Sequence, residues 1–538
     1  MRESYHALLL RDVRVPFDAP DGEALQIART KMKRAGVSPA GLHFRIYKKS
    51  LDARKKSALL FVYTVLVEAT GQGITLDGAA LSRIGAVPFA HAAPVWPQGN
   101  ERLSAPPVVV GMGPAGLFAA LSLAERGFSP VIIDRGDDVT ARAAATERFR
   151  TLGVLDTESN IQFGAGGAGT FSDGKLVTRV NDPLCNYVLE RLVEFGAPEE
   201  ILVKAKPHVG TDILRVVVDN VLARITALGG KVCYRTRLDS FTEREDGVVL
   251  HTSRGDIEAG VLLLAIGHSA RDTFGMLEER GLAMAVKPFS VGVRIEHLRE
   301  DIDRALYGDA AGNKALGAAE YTLSDTTGER GVYTFCMCPG GEVVTAASEE
   351  GGVVVNGMSE HARAGRNSNA AVAVSVEPAD VGGDIKGAIE FQRALERAAY
   401  RAGGGDYAAP VQTVGDFLDG VSGTAPSRIL PTYGGGRVRC ADLHDVLPRF
   451  VCDTLARGLA SFDKKIHGFA ARDAVLTGAE TRTSSPLRIL RGEARTALGH
   501  ERLYPVGEGA GYAGGITSAA LDGLRSAMAV MERYKSND

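Results

Sequence analysis

The sequence predicts an α/β protein: a doubly wound, parallel-sheet domain interrupted by an inserted mixed α+β domain and preceded by a small βαββ domain. Three observations carry this. A short all-apolar run at 108–110 leads through a glycine-rich turn into an apolar helix and a second apolar run, as parallel strands buried on both faces require. The first ninety residues alternate instead between amphipathic strand and helix patterns. The last stretch, 503–534, again reads as strand, glycine-rich turn and helix.

Taken in order, residues 5–16 read as a strand and 21–35 as a helix with Leu25, Ala28 and Met32 on its apolar side. Residues 42–49 and 58–69 read as two further strands, completing an α+β domain over 1–92. Pro94, Pro97, Pro106 and Pro107 then mark a stiff linker. The parallel-sheet domain opens at 105, with a strand at 108–110, a helix at 114–126 and a strand at 131–134. A helix at 212–228, a strand at 231–237 and strands at 248–252 and 256–266 continue it to 286. Residues 287–450 are richer in glycine and β-branched residues and read as a second, substrate-facing domain. The segment 451–538 returns the chain to the first.

A chain of 538 residues exceeds one ordinary domain. Its formal charge of −3 is unevenly spread: residues 1–60 carry thirteen Lys/Arg against six Asp/Glu, a net +7, leaving −10 for the rest. The start lacks a signal-peptide pattern, because its only apolar run, 8–10, is followed at once by Arg11 and Asp12. The strongest apolar stretch, 261–266, is far too short to span a membrane. Six cysteines at 185, 233, 336, 338, 440 and 452 follow neither a disulfide framework nor a zinc spacing, so no metal is expected. A cytoplasmic location fits that pattern.

The first chemical motif is Gly111-Met112-Gly113-Pro114-Ala115-Gly116. Gly111 allows the tight strand-to-helix turn, Gly113 lets backbone approach a pyrophosphate, and Gly116 lets the helix pack on the strand. The phosphates then lie at a helix N-terminus, among free N–H groups. Asp134 ends the next strand 23 residues beyond Gly111, near the ~20 expected of a ribose-binding carboxylate, with Arg135 beside it. This is the fingerprint of a Rossmann-like unit holding an adenine dinucleotide.

The motif Gly507-Glu508-Gly509-Ala510-Gly511-Tyr512-Ala513-Gly514-Gly515-Ile516-Thr517, ahead of an apolar helix, resembles the C-terminal motif of FAD enzymes built like glutathione reductase. The resemblance implies that FAD is the cofactor, that Glu508 contacts its ribityl chain, and that the last helix points its N-terminus at the flavin pyrimidine. Glu508 stands where that family usually has Asp, so its longer side chain can also act through water. Ala265-Ile266-Gly267 resembles the same superfamily's returning strand, with Ile in place of the usual Thr. The block 164–176, with Gly166, Gly167, Thr170, Ser172 and Lys175, resembles the loop alongside the isoalloxazine ring in related flavoproteins. Further blocks around Lys287, Cys336, Asn356 and Glu480 extend the likeness over nearly the whole chain. Together they resemble a family of uncharacterised FAD-dependent dehydrogenases, relatives of aminoacetone-oxidase-like flavoproteins. Val506 departs from it, where Cys is expected.

A flavin performs the hydride or electron chemistry itself, so the protein must position substrate. Arg294, Glu296, His297, Arg482 and Thr483 are the polar candidates over the flavin. At strand spacing Arg294 and Glu296 share one face and His297 takes the other, so at most one face lines a pocket. His297 is a general acid/base candidate or a core-edge histidine; Arg482 either clamps a carboxylate or phosphate or forms a structural ion pair. Cys336 and Cys338 would share a strand face, as a redox pair fed by the flavin or as two packed thiols. No second GxGxxG in strand–helix context follows, so NAD(P)H would serve as a transient donor without its own domain. The leading expectation is an oxidoreductase of a small organic molecule. A competing one is an RNA-binding or tRNA-modifying flavoprotein, using Arg45, Lys48, Lys49, Arg54, Lys55 and Lys56 on phosphates; those charges equally suit a solvated sheet edge.

Overall fold

The computed structural model describes residues 2–71 and 73–536. Near the N-terminus an antiparallel sheet runs in the order Leu42–Asp52, Leu60–Ala69, Ala7–Pro16, Ala86–Pro88. Helix Gly22–Arg34 lays Ala24, Ala28 and Met32 onto it, four residues apart and so on one face. The expected βαββ core is present, with more beyond it. A strand at Ile74–Asp77, a helix at Gly78–Ile84 and the strand Ala86–Pro88 were not anticipated, because elements this short carry too few residues to show a period. Asp77 caps that helix by accepting from the Ala80 N–H, and Gly85 ends it in the left-handed region.

The proline-rich linker lies along the C-terminal helix, with Gly99 donating to the Met531 carbonyl. It delivers the chain to a five-stranded parallel sheet ordered Leu503–Pro505, Leu262–Leu264, Val108–Val110, Val131–Ile133, Lys231–Cys233. Alternation assigns the side chains. Val109, Ile132 and Leu263 pack on helices Pro114–Ala124, Thr211–Ala227 and Ile516–Arg533. Val108, Val110, Ile133, Leu262 and Leu264 pack the other way, with Leu238, Phe241 and Leu250 of a three-stranded antiparallel sheet. Both faces are covered, which is why these strands read as unbroken apolar runs.

Two expected strands need correction. The stretch 256–266 is two strands: Gly255–Ala259 in the small sheet and Leu262–Leu264 in the parallel one. Gly260 lies between them, where a Cβ would sit 2.5 Å from the Ala105 carbonyl oxygen. The stretch 231–237 stops at Cys233, and Arg235 takes a positive φ of 50° before a new strand, Leu238–Glu243.

The inserted domain is built on a seven-stranded sheet ordered Ser324–Asp325, Val332–Cys338, Asn367–Val376, Phe289–Leu298, Val475–Glu480, Ala409–Thr413, Val438–Cys440. Strand Phe289–Leu298 is buried at every position. The expected boundary at 450 is too early. Helix Arg449–Asp463 packs into this domain's core and Val475–Glu480 is one of its inner strands, so the chain leaves the domain only after Glu480. Ser484-Ser485-Pro486 punctuates the true crossing in the sequence, well beyond the expected boundary. Met284–Val286 and Leu487–Ile489 pair antiparallel, so the outgoing and returning crossings run side by side.

Candidate functional site

The turn after Val108–Val110 has the predicted construction. Gly111 sits at φ 104°, and a Cβ there would lie 2.2 Å from the Ala265 carbonyl oxygen. A Cβ on Gly116 would lie 1.9 Å from the Gly111 carbonyl oxygen, so helix and strand touch through bare backbone. Asp134 accepts from the Met112 and Gly136 N–H groups, at 2.8 and 2.9 Å, and thereby fixes the turn itself. Helix Pro114–Ala124 begins at Gly113 with no side-chain cap, and helix Ile516–Arg533 begins at Gly515 in the same way. Their first N–H groups are free for a ligand.

Both helix starts open on one cavity. Its floor is made by Gly111, Gly113, Pro114, Ala115, Asp134 and Arg135. Gly167, Ser172 and Lys175 form one side, and Ala265, Gly267 and Glu508 another, with Gly514, Gly515 and Ile516 at the far end. The inserted domain closes the top with Phe335, Cys336, Asn356, Glu480, Arg482 and Thr483.

The remaining predicted cofactor residues stand behind this wall. Gly116 packs helix on strand, as above. Gly166, at φ 86°, faces the buried Thr170, whose hydroxyl a Cβ would meet at 1.9 Å. Gly507 packs on Ala115 and donates to Asp522, and the Thr517 hydroxyl donates to the Leu176 carbonyl. These five shape the cavity without lining it.

The polar candidates separate similarly. His297 is not at the cavity: its ring is buried, with Nε2 2.7 Å from the Phe469 carbonyl oxygen, and burial pushes its pKa down. Arg294 is also fully buried and does not line the cavity, contrary to its expected place over the flavin. Its guanidinium instead binds Glu480 at 2.8 Å, the Cys336 carbonyl at 2.8 Å, Asn356 at 2.8 Å and Asn369 at 3.0 Å. Arg294 thus holds three wall residues from behind. Glu296 points to Thr432 and Asn367. Both faces of the strand are buried because it lies in the middle of a covered sheet.

Arg482 reaches the wall while pairing with Glu396 at 3.1 Å and donating to Ser348 at 2.6 Å, the geometry of the structural ion pair. Lys175 is fastened to Asp173 at 2.7 Å and to the Met337 carbonyl. Cys336 lines the cavity but Cys338 is fully buried, so only the first of the two reaches it. A bulge explains the difference: Phe335 pairs with Ala371 and Cys338 with Asn369, so three steps on one strand oppose two on the other.

Sequence reading assigned no role to Glu480, Asn356 or His268. Glu480 is a buried carboxylate in the wall; burial raises its pKa and Arg294 partly offsets that. His268 faces Glu508 at 3.4 Å through Nδ1, and its buried Nε2 has no partner within the protein. Each lies in a block already noted for family likeness, the available signal, yet nothing local shows which side chains reach the cavity.

Residues 288–483 match the family described as "FAD-dependent protein, C-terminal domain-like", and 109–173 match "NAD(P)-binding Rossmann-like domain". An "Uncharacterized protein" of Clostridium beijerinckii (strain ATCC 51743 / NCIMB 8052) is 45% identical over 496 residues, covering 91% of this chain and 92% of its own. The chain belongs to the FAD-dependent oxidoreductase family. FAD is its cofactor, and the cavity fits it on three counts. Cβ atoms added to Gly267, Gly514 and Gly515 would meet no protein atom within 4 Å, and one on Gly113 only the Gly167 Cα at 3.9 Å. The space beside this backbone is thus left for a ligand. Two uncapped helix starts suit anionic groups, and the orphan Nε2 of His268 awaits a partner.

In this FAD-dependent oxidoreductase, residues 10–68 match a domain of unknown function, DUF8436. Among solved structures, CtdE in complex with FAD is 10% identical, covering 80% of this chain and 84% of its own at a TM-score of 0.32. NikD, an amino acid oxidase, is 14% identical, covering 80% and 97%, at 0.31. Likenesses this slight say nothing of the reaction. Among the described residues no helix is long and apolar enough to cross a membrane. In the basic N-terminal domain Arg45 pairs with Glu68, Lys49 with Asp21 and Arg54 with Asp52, which takes three of six charges out of the expected patch.

Proposed function

We propose that the chain is a cytoplasmic dehydrogenase or reductase of a small organic substrate, with FAD bound non-covalently. One observation carries this reading: the cavity formed by the dinucleotide turn continues without a break to a wall of polar side chains from the inserted domain. When bound, FAD supplies the two-electron chemistry. The chain supplies the rest. The N-terminus of helix Ile516–Arg533 favours negative charge at the end of the cavity nearest Ile516. Glu480, its pKa raised by burial, holds or accepts a proton at the wall, and Arg294 fixes its position. The exposed side chains of Val177 and Phe335 stand at the cavity wall and favour an apolar group on the substrate. Six free cysteines suit a reducing compartment.

Anaerobic mixing with NADH, NADPH and a panel of metabolites tests the reading. At least one donor is expected to bleach the flavin absorbance, with NAD(P)H docking transiently; bleaching by none would leave a flavin-bearing scaffold without turnover. Glu480→Gln is expected to slow that reduction roughly 10²-fold and to flatten the acidic limb of its pH profile, while FAD stays bound. Unchanged rate and profile would take the proton role from Glu480.

A further inference from the structure

The two cysteines of strand Val332–Cys338 take no part in the proton chemistry proposed for Glu480, and their surroundings are unusual. Cys336 occupies the left-handed region at φ 43°, a conformation unfavourable for a non-glycine residue. The bulge between Phe335 and Cys338 imposes it, and the Arg294 guanidinium clamps the Cys336 carbonyl at 2.8 Å. The consequence is a half-buried thiol in the cavity wall, with a second thiol directly behind it, 3.3 Å from the Cys336 carbonyl oxygen. A flat strand would have turned both thiols to one side.

We propose that Cys336 and Cys338 form a nucleophilic and resolving thiol pair, and that the substrate class of this cavity is a small organic disulfide. The proposal rests on the cavity being the FAD and substrate site. The charge environment agrees. A hydrogen bond from the Cys338 thiol, with Arg294 and Lys175 beyond it, brings the Cys336 thiol below the usual thiol range in spite of burial and of Asp173. The same coupling and its own burial push Cys338 up. The more acidic thiol at the cavity and the less acidic one behind it is the order that exchange needs.

The step balances as follows. The Cys336 thiolate attacks one sulfur of R–S–S–R′, forming a Cys336–S–S–R bond and breaking the substrate's S–S bond. The departing R′–S⁻ takes the proton of Cys338 and leaves as R′–SH. The Cys338 thiolate then attacks the Cys336 sulfur, closes the Cys336–Cys338 bond and expels R–S⁻. The substrate has gained two electrons and the pair has lost two. Reopening the Cys336–Cys338 bond takes two electrons, which FAD reduced by a nicotinamide donor would supply when bound. A disulfide across one intervening residue is strained and so readily reduced, which suits a shuttle.

The holoenzyme and its Cys338→Ser variant, treated with bis(2-hydroxyethyl) disulfide and followed by intact mass and peptide mapping, test this. Cys338→Ser is expected to hold one hydroxyethylthio group on Cys336. The unsubstituted protein is expected to lose the mass of two hydrogen atoms and to carry a Cys336–Cys338 bond. Cys336 is also expected to react with iodoacetamide at pH 7 roughly tenfold faster than the exposed Cys440, an internal reference in the same chain. In an anaerobic dithionite titration the pre-oxidised protein should take up twice the equivalents of a Cys336→Ser variant. No adduct on Cys336, alkylation no faster than at Cys440, or equal equivalents would overturn the proposal. The visible spectrum of the same samples reports on FAD separately. Yellow protein without the adduct removes the thiol pair alone; colourless protein with it removes the FAD reading alone.

Discussion

Gly113→Val is expected to yield folded protein that purifies without FAD. The backbone at Gly113 is extended, at φ −72° and ψ 178°, a conformation valine takes without strain. Its Cβ would meet only the Gly167 Cα, at 3.9 Å, so the fold has room for it. That room is the cavity beside the uncapped start of helix Pro114–Ala124, where the dinucleotide phosphates must approach backbone N–H groups. An isopropyl group there keeps the phosphates away from those donors. FAD affinity should fall by about 10³-fold or more, equivalent to ~4 kcal/mol. Visible absorbance per polypeptide measures it, with far-ultraviolet circular dichroism to show an intact fold. Gly116→Val is the contrasting control. Its Cβ would lie 1.9 Å from the Gly111 carbonyl oxygen, so that variant should fail to fold. A stoichiometric yellow Gly113→Val protein would refute the assignment of this turn.

The contrast shows what was legible in the sequence. Gly111, Gly113 and Gly116 fall within six residues in a strand–turn–helix context, so their spacing states the turn even though Gly111 also packs against the distant Ala265 carbonyl. Strands Val108–Val110 and Val131–Ile133 are equally plain, being apolar throughout, whereas Leu262–Leu264 and the partly exposed edge strand Lys231–Cys233 are shorter than the stretches expected there. Partners far apart in the chain were not plain. Arg294 meets Glu480 186 residues later, and no local pattern announces that one faces the cavity while the other supports it. Strand parity correctly put His297 opposite Arg294, but it assumed that one face was open; seven strands with helices over them closed both. Nor did parity foresee the register shift between Phe335 and Cys338, because a bulge leaves no mark in the sequence. The boundary misplaced at 450 has the same origin: strand Val475–Glu480 joins the inserted sheet by long-range pairing with Phe289–Leu298 and Ala409–Thr413.

The other large effect is expected at Glu396, which does for the domain junction what Arg294 does for the wall. Glu396 lies on helix Ile385–Ala402 of the inserted domain, almost wholly buried. It accepts from Arg271 at 2.7 and 2.8 Å, from Arg482 at 3.1 Å through each oxygen, and from the Thr481 hydroxyl at 2.7 Å. Arg271 opens a helix of the FAD-binding domain directly after His268–Ala270 of the cavity wall, whereas Arg482 is part of the wall itself. One carboxylate thus neutralises two buried guanidinium groups from both sides of the junction; Arg271 also donates to the partly exposed Glu349 at 2.9 Å and to the neutral Gln392 at 3.1 Å. Glu396→Gln keeps the volume and removes the charge, leaving two buried cations under-compensated, at a cost of about 3–5 kcal/mol. Burial pushes the Glu396 carboxyl up, but Arg482 and Arg271 more than reverse this and hold it well below the usual carboxylate range. A depressed folded pKa stabilises fully above the unfolded value, about 4.3, and that stabilisation fades as pH falls towards the folded one. Urea unfolding should therefore separate the two proteins by this margin at pH 7 and by progressively less below about pH 4. A gap that is absent at neutral pH, or that widens on acidification, would mean that this carboxylate does not hold the junction. Because Arg482 lines the cavity and Arg271 directly follows its wall residues His268–Ala270, the variant should also release FAD more readily than the parent, even where both remain folded.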